Sequence, residues 1–272
     1  MIANGTINDG YGDYVLVPSG PFRMGDNVGD GETRERPVHV GEIDAFYIAR
    51  FEMTNGAWKK FRDDPGYDDP GLWPGGAVVP KDQVPYWTQP TNHGGGTPES
   101  DSYPLLGVNW DSAVAYCNWL SAKTGRTYRL PTEAEWEKAA RGTDERRYPW
   151  GNTIDRSYAN FVGAQSYDTG LPVGYYDGSK RGELQTHSNA SPYGAYDMAG
   201  NVMEWCQDWY SRDYYFVSPR KNPRGPESGA YRVLRGGTFF VEAFELRTSA
   251  RSAAWPSFQG HRMIGFRAVR EP

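Results

Sequence analysis

Apolar and polar positions change period several times along the chain, and few runs are long. The run YVLVPSGPFRMG, Tyr14 to Gly25, predicts a short strand, a Pro-Gly turn and a second strand. Val38 to Phe51 alternates and predicts a further strand or hairpin arm. Thr54 is placed to cap a short helix through Phe61, with Ala57, Trp58 and Phe61 at helical spacing. Asp63 to Ser102 is rich in Pro, Gly and Asp, has almost no periodicity, and predicts a long surface loop. Two better-marked helices follow. In NWDSAVAYCNWLSAKTG, Asp111 is the expected N-cap and Gly125 the stop, and Ala113, Tyr116, Cys117 and Leu120 make one buried face. In LPTEAEWEKAARG, Thr132 and Glu135 form a capping box, Leu130 and Trp136 stand at hydrophobic-staple positions, and Gly142 ends the helix. The remainder is turn-rich, with strands expected at Asn201 to Trp205, Tyr231 to Leu234 and Ile264 to Val269. The pattern reads as a single α+β domain over 14–270 with few long elements, behind an N-terminal extension at 1–13.

Composition explains how so polar a chain can fold. Of 272 residues 38% are apolar, but 15% are aromatic, and the 10 Trp and 19 Tyr supply large buried areas. The 33 Gly and 20 Pro favour turns over long helices. A net charge of -5 argues against a nucleic-acid binder working through a basic face. The basic stretch Arg141 to Arg147 is interrupted by Asp144 and Glu145 and reads as a solvated face. No run approaches the length of a membrane span. The polar, glycine-rich start lacks a signal-peptide layout, so a cytoplasmic location is the default expectation.

Local metal and nucleophile signatures are missing. Cys117 and Cys206 are far apart, and His39, His93, His187 and His261 are dispersed without ligand spacing. There is no G-x-S-x-G elbow and no phosphate-binding glycine loop.

Seven motifs occur in order: VPSGPFRMG, ARFEMTNGAWKKF, PLLGVNWDSAVAYCNWLSAKTGRTYRLPTEAEWEKAARG, YPWGN, SPYGAYDMAGNVMEWCQDWY, RVLRGGTFF and IGFRAVR. Together they resemble the formylglycine-generating enzyme, or sulfatase-modifying factor, family from about Tyr14 to Arg270. The resemblance implies the family's variant of the C-type-lectin fold. It also implies a copper- and O2-dependent oxidation of a cysteine within Cys-x-Pro-x-Arg, which needs two thiols soon after the RGG[ST] motif. Thiolates select Cu(I), and no harder side chain replaces the pair. Here that segment reads RGGTFFVEAFELRTSARS, with Val241 and Leu246 where thiols would stand and no cysteine after Cys206. Copper is therefore not expected. A histidine-bearing helical bundle, which iron-dependent relatives add to make sulfur–carbon bonds, is not found either.

The resemblance further implies calcium at GNVMEW, through Asn201, the Val202 carbonyl and Glu204, with Glu204 pairing an arginine as the plainer alternative. A second calcium set would use Asn160 and Asp168. The segment after RGG would form the ligand surface: Phe239, Phe240, Glu242, Phe244, Arg247, Arg251, Trp255 and Phe258. The expectation is a calcium-stabilised domain that binds a peptide, protein or small ligand, or assists maturation. The alternatives are a divergent metal-dependent oxidoreductase, with His261, Glu242 and Glu245 as its only nearby ligands, and a structural subunit of a larger assembly.

Overall fold

The computed structural model describes residues 5–81, 101–162, 170–258 and 263–272. Its strands are β1 (Thr6–Asn8), β2 (Asp13–Val17), β3 (Gly20–Met24), β4 (His39–Ile43), β5 (Phe46–Ala49), β6 (Tyr128–Arg129), β7 (Lys180–Arg181), β8 (Leu184–Gln185), β9 (Met203–Trp209), β10 (Arg232–Arg235), β11 (Ser252–Ala254), β12 (Ile264–Gly265) and β13 (Val269–Arg270). The helices are α1 (Asn55–Arg62), α2 (Trp110–Thr124) and α3 (Glu133–Arg141). One sheet has the order β1-β2-β5-β13-β6 and another β11-β10-β9-β12, while β3-β4 and β7-β8 are hairpins. From Thr6 on, the stretch read as an N-terminal extension supplies the edge strand of the first sheet.

Alternation places Val15 and Val17 of β2 and Phe46 and Ile48 of β5 inside, and these two strands pair antiparallel. Thr54 caps α1 as expected, accepting from the Ala57 amide, and Trp58 and Phe61 are fully buried. The cap of α2 differs from expectation. Asn109, not Asp111, accepts from the Ser112 amide at 2.8 Å, and Trp110 opens the helix. Asn and Asp cap equally well, so composition alone could not choose between them. Gly125 ends α2 in the left-handed conformation. The α3 capping box forms in both directions. The staple does not: Leu130 belongs to the core around α1 and α2, and Trp136 to the core behind α3.

The expected loop at Asp63 to Ser102 is described only through Lys81 and from Asp101 on, and its first part carries more regular turns than its composition suggests. Short 3-10 turns at Pro65–Asp68 and Pro70–Leu72 are opened by Asp64 and Asp69, which accept from Gly66 and Gly71 amides. They carry Tyr67 and Trp73 into an aromatic core with Trp58, Phe61, Tyr116 and Trp119.

Every residue of α3 is buried, including Glu133, Glu137, Lys138 and Arg141. The helix packs against β3, β4, β9 and β10 and its charges bind partners there. Lys138 Nζ donates to the carbonyls of Pro18 and Gly20, and burial lowers its pKa to about 8. Glu137 accepts from the Gly25 amide and pairs with Arg235. This polar helix at the centre of the domain positions the segment after the RGG motif.

Candidate functional site

β10 delivers Arg235 into the core, where its guanidinium meets Glu137 and donates to the carbonyls of Thr248 and Ser249. Gly236 and Gly237 then turn the chain with φ of 93° and 69°. A Cβ at Gly237 would stand 2.9 Å from both the Glu245 carbonyl and Leu246 Cδ1, so the turn requires glycine in conformation and in space. Thr238 and Phe239 follow, with the Phe239 amide donating to Asn201 O at 3.1 Å. A 3-10 turn at Ala243–Leu246 ends the excursion, and Glu242 precedes it without a side-chain cap bond.

The expected ligand-surface residues divide into two groups. Phe240, Glu242, Phe244 and Trp255 face solvent, as does Glu245. Phe239 is buried and Phe258 half-buried. Arg247 and Arg251 are buried ion-pair partners. Arg247 makes a two-pronged pair with Glu35 at 2.8 Å on each arm, its guanidinium 3.9 Å from the Phe244 ring centroid. Arg251 grips Glu133 at 2.7 and 2.8 Å and packs over Tyr215. Burial would raise both carboxylates, but the arginines outweigh it and hold them below their ordinary values. These arginines pin the returning limb of the segment with their charge already paired, and both also border the small cleft beside it. Trp255 stacks on Tyr231 at 5.8 Å, at the end of β10 opposite the glycine pair, and so stands apart from Phe240 and Phe244.

A cleft of about 50 Å³ lies against the glycine pair, with Met203, Leu234, Phe244 and Glu245 among its walls. A larger cavity of about 200 Å³ lies elsewhere, between Asp44, Arg129, Glu135 and Arg224, and Arg129 there is already bound to Glu135. The positions expected to lack thiols are apolar packing: Val241 and Leu246 join Tyr148 and Phe161 in a small third core. Cys117 and Cys206 are fully buried in two different cores. Burial pushes the Cys117 thiol up to about 12 and raises Cys206 as well. Neither is placed to supply the soft donor pair that copper chemistry of this kind needs.

The GNVMEW turn holds a buried acidic cluster. Asn201 adopts φ 62°, accepts from the Leu171 amide through Oδ1 and donates to Glu52 through Nδ2. Glu204 accepts from Trp136 Nε1 and, through both oxygens, from Arg267. Glu52 and Asp197 are also buried, and burial, with like charge added at Glu52, raises their pKa values. These two acids were not singled out in the sequence, where nothing local links them to Glu204. Three carboxylates thus share one guanidinium, an excess that a divalent cation would balance. Yet Asn201 Oδ1 and both Glu204 oxygens already serve protein donors. Among the described residues, no three Asp, Glu, His or Cys side chains converge on a metal position. The donor set matches calcium in charge and hardness but not in placement. Of the second set, Asn160 is buried and accepts the Asn201 amide at its carbonyl, and Asp168 lies outside the described residues.

The comparisons agree with this architecture. The sulfatase-modifying factor enzyme 1-like domain matches residues 5–272. The formylglycine-generating enzyme of Thermomonospora curvata is 36% identical, over 95% of this chain and 93% of that protein. The hercynine oxygenase of Mycolicibacterium smegmatis is 35% identical over 89% of this chain, which spans 57% of that longer protein. The structure of PvdO from Pseudomonas aeruginosa superposes with a TM-score of 0.76 at 26% identity, over 99% of this chain and 98% of that one. The fold is the formylglycine-generating-enzyme variant of the C-type-lectin fold. The chain belongs to the sulfatase-modifying factor enzyme 1-like family.

Proposed function

We propose that this chain is a binding or accessory maturation domain of its family, built without the paired-thiol copper centre. The observation that carries the reading is the segment after the RGG motif. Its thiol positions are the packed apolar residues Val241 and Leu246, while Phe240 and Phe244 remain exposed beside a cleft. An aliphatic pair, Leu246 buried and Val241 half-buried, cannot hold copper, whereas exposed aromatics over a rigid base suit the docking of a peptide, protein or small ligand. No helix among the described residues is long and apolar enough to cross a membrane. Calcium is proposed separately, at Asn201, Val202 and Glu204 beside Glu52 and Asp197, and binding there would require Asn201 Oδ1 and Glu204 to give up their present donors, Leu171 and Arg267; Asn160 and Asp168, the latter outside the described residues, are the second set. It would supply the positive charge that the buried carboxylates lack.

The deciding experiment incubates the pure protein with a Cys-x-Pro-x-Arg peptide, copper, reductant and O2, and follows the peptide by mass spectrometry. An unchanged peptide, beside a converting family control, is expected. Loss of sulfur with gain of an aldehyde would overturn the reading in favour of the alternative, a divergent oxidoreductase. That alternative draws on the relatives named as a formylglycine-generating enzyme and an oxygenase.

A further inference from the structure

The cavity of about 200 Å³ stands apart from the post-RGG segment, and its described walls include none of that segment's residues. They come instead from the β4–β5 turn, from β6 and the start of α3, from the segment at 222–224, and from the residues after β13. Asn222 fixes one wall. It adopts φ 44°, in the left-handed region that most side chains avoid. Three bonds hold it there. Its amide donates to the Glu42 carbonyl at 2.9 Å, its Oδ1 accepts the Asp44 amide at 2.9 Å, and its Nδ2 donates to Asp44 Oδ2 at 2.7 Å. One Asp44 oxygen is thereby placed, and the other is approached by Lys221 only at 3.9 Å. The charges lining the cavity are unevenly spent. Arg129 and Glu135 neutralise each other through two bonds of 2.7 Å. Glu271 receives a long contact, 3.4 Å, from Arg129 Nε. Arg224 has no ion-pair partner among the described residues. What remains is one guanidinium facing a site with two under-used carboxylates.

We propose that this cavity binds a small zwitterion, a free α-amino acid, with its carboxylate on Arg224 and its ammonium on Asp44 and Glu271. The inference goes beyond the binding reading above and does not depend on it. A simple amine entering the cavity would face Arg224, and a simple carboxylate would face Asp44 and Glu271. Each meets a repulsion that a molecule carrying both charges offsets with an attraction. Size agrees with charge. Sites for drug-sized molecules begin at about 300 Å³, and a smaller cavity suits a solute of few heavy atoms. Much of the frame is set before binding, because Asn222 clamps Asp44 and Glu135 locks Arg129, so little of the wall has to be ordered by the ligand.

The test titrates the protein with L-alanine, N-acetyl-L-alanine, which lacks the ammonium, and L-alaninamide, which lacks the carboxylate. Amide chemical shifts in proton–nitrogen NMR spectra report both affinity and place. L-Alanine is expected to bind about two- to five-fold more tightly than either derivative, with the margin shrinking as salt rises. The largest shifts should fall on Asp44, Ala45, Asn222 and Glu271. Arg224→Gln should remove the margin over L-alaninamide, and Glu271→Gln should narrow the margin over N-acetyl-L-alanine. Arg224→Glu should make L-alaninamide the tightest ligand, a gain that an unfolded variant could not show. L-Alanine binding no more tightly than either derivative would overturn the assignment. So would shifts centred away from these four residues, or no shift at all with millimolar L-alanine.

Discussion

Among the described residues Arg267 is the one cation facing three buried carboxylates, which makes Arg267→Met a direct probe of that cluster. The guanidinium is fully buried. It donates to both oxygens of Glu204 and to the carbonyls of Ala49 and Tyr196 at 3.1 and 2.9 Å. Methionine fills much of the volume but leaves Glu204, Glu52 and Asp197 without a counter-charge. Breaking a buried pair from one side costs about 3–5 kcal/mol. For a chain of this length that corresponds to a fall in Tm of roughly 6–20 °C. The cost should depend on pH. Carboxyls whose folded-state pKa is raised contribute full stability below their unfolded value, about 4, and lose it as pH rises through the folded value. The deficit of the variant should therefore be largest at neutral pH and shrink toward acid. Glu204→Gln should cost less, because Arg267 would still face Glu52 and Asp197. Urea unfolding of both variants and the parent at neutral and mildly acidic pH measures all of this. A deficit below about 1 kcal/mol at neutral pH, or one that grows toward acid, would refute the reasoning.

Other outcomes follow from the same geometry. Calcium at a hundred-fold excess over its Kd should stabilise the protein by about 2.7 kcal/mol relative to EGTA. That gain should increase with pH, since Glu52 and Asp197 hold protons at acid pH, and an unchanged Tm would remove the calcium proposal. A thiol reagent should leave Cys117 and Cys206 unmodified until the protein unfolds, and rapid labelling of the native protein would contradict their burial. Asn109→Ala should cost about 1 kcal/mol and Asp111→Ala little, as read by chemical unfolding, with the reverse order restoring Asp111 as the cap of α2.

The parts of the fold legible in the sequence are those built from near neighbours. The capping box of α3 joins Thr132 to Glu135, and the Thr54 cap of α1 reaches only to Ala57. The family motifs carried the overall architecture. What stayed hidden was pairing across long separations. Glu35 and Arg247 are 212 residues apart, and Glu133 and Arg251 118 apart. An arginine beside exposed aromatics looks like a ligand contact until its partner is known. The 3-10 turns after α1 were missed for another reason. Asp-Pro-Gly and Pro-Gly steps announce turns but no period, and nothing in them shows that Tyr67 and Trp73 point inward. Glu204 offered both readings in the sequence, and its pairing with Arg267 became visible only once β9 was set against the end of the chain.

The two buried ion pairs at the base of the post-RGG segment have an evolutionary consequence. Arg247 and Arg251 fasten the returning limb to Glu35 and Glu133, and the glycine pair sets the outgoing limb, so the backbone path is fixed by buried residues. The side chains at the apex contribute little to folding and can be exchanged with little penalty. Selection, or a randomised library at Phe240, Glu242, Phe244 and Glu245, can therefore explore new specificities on an unchanged frame. The same freedom does not extend to the glutamates beneath.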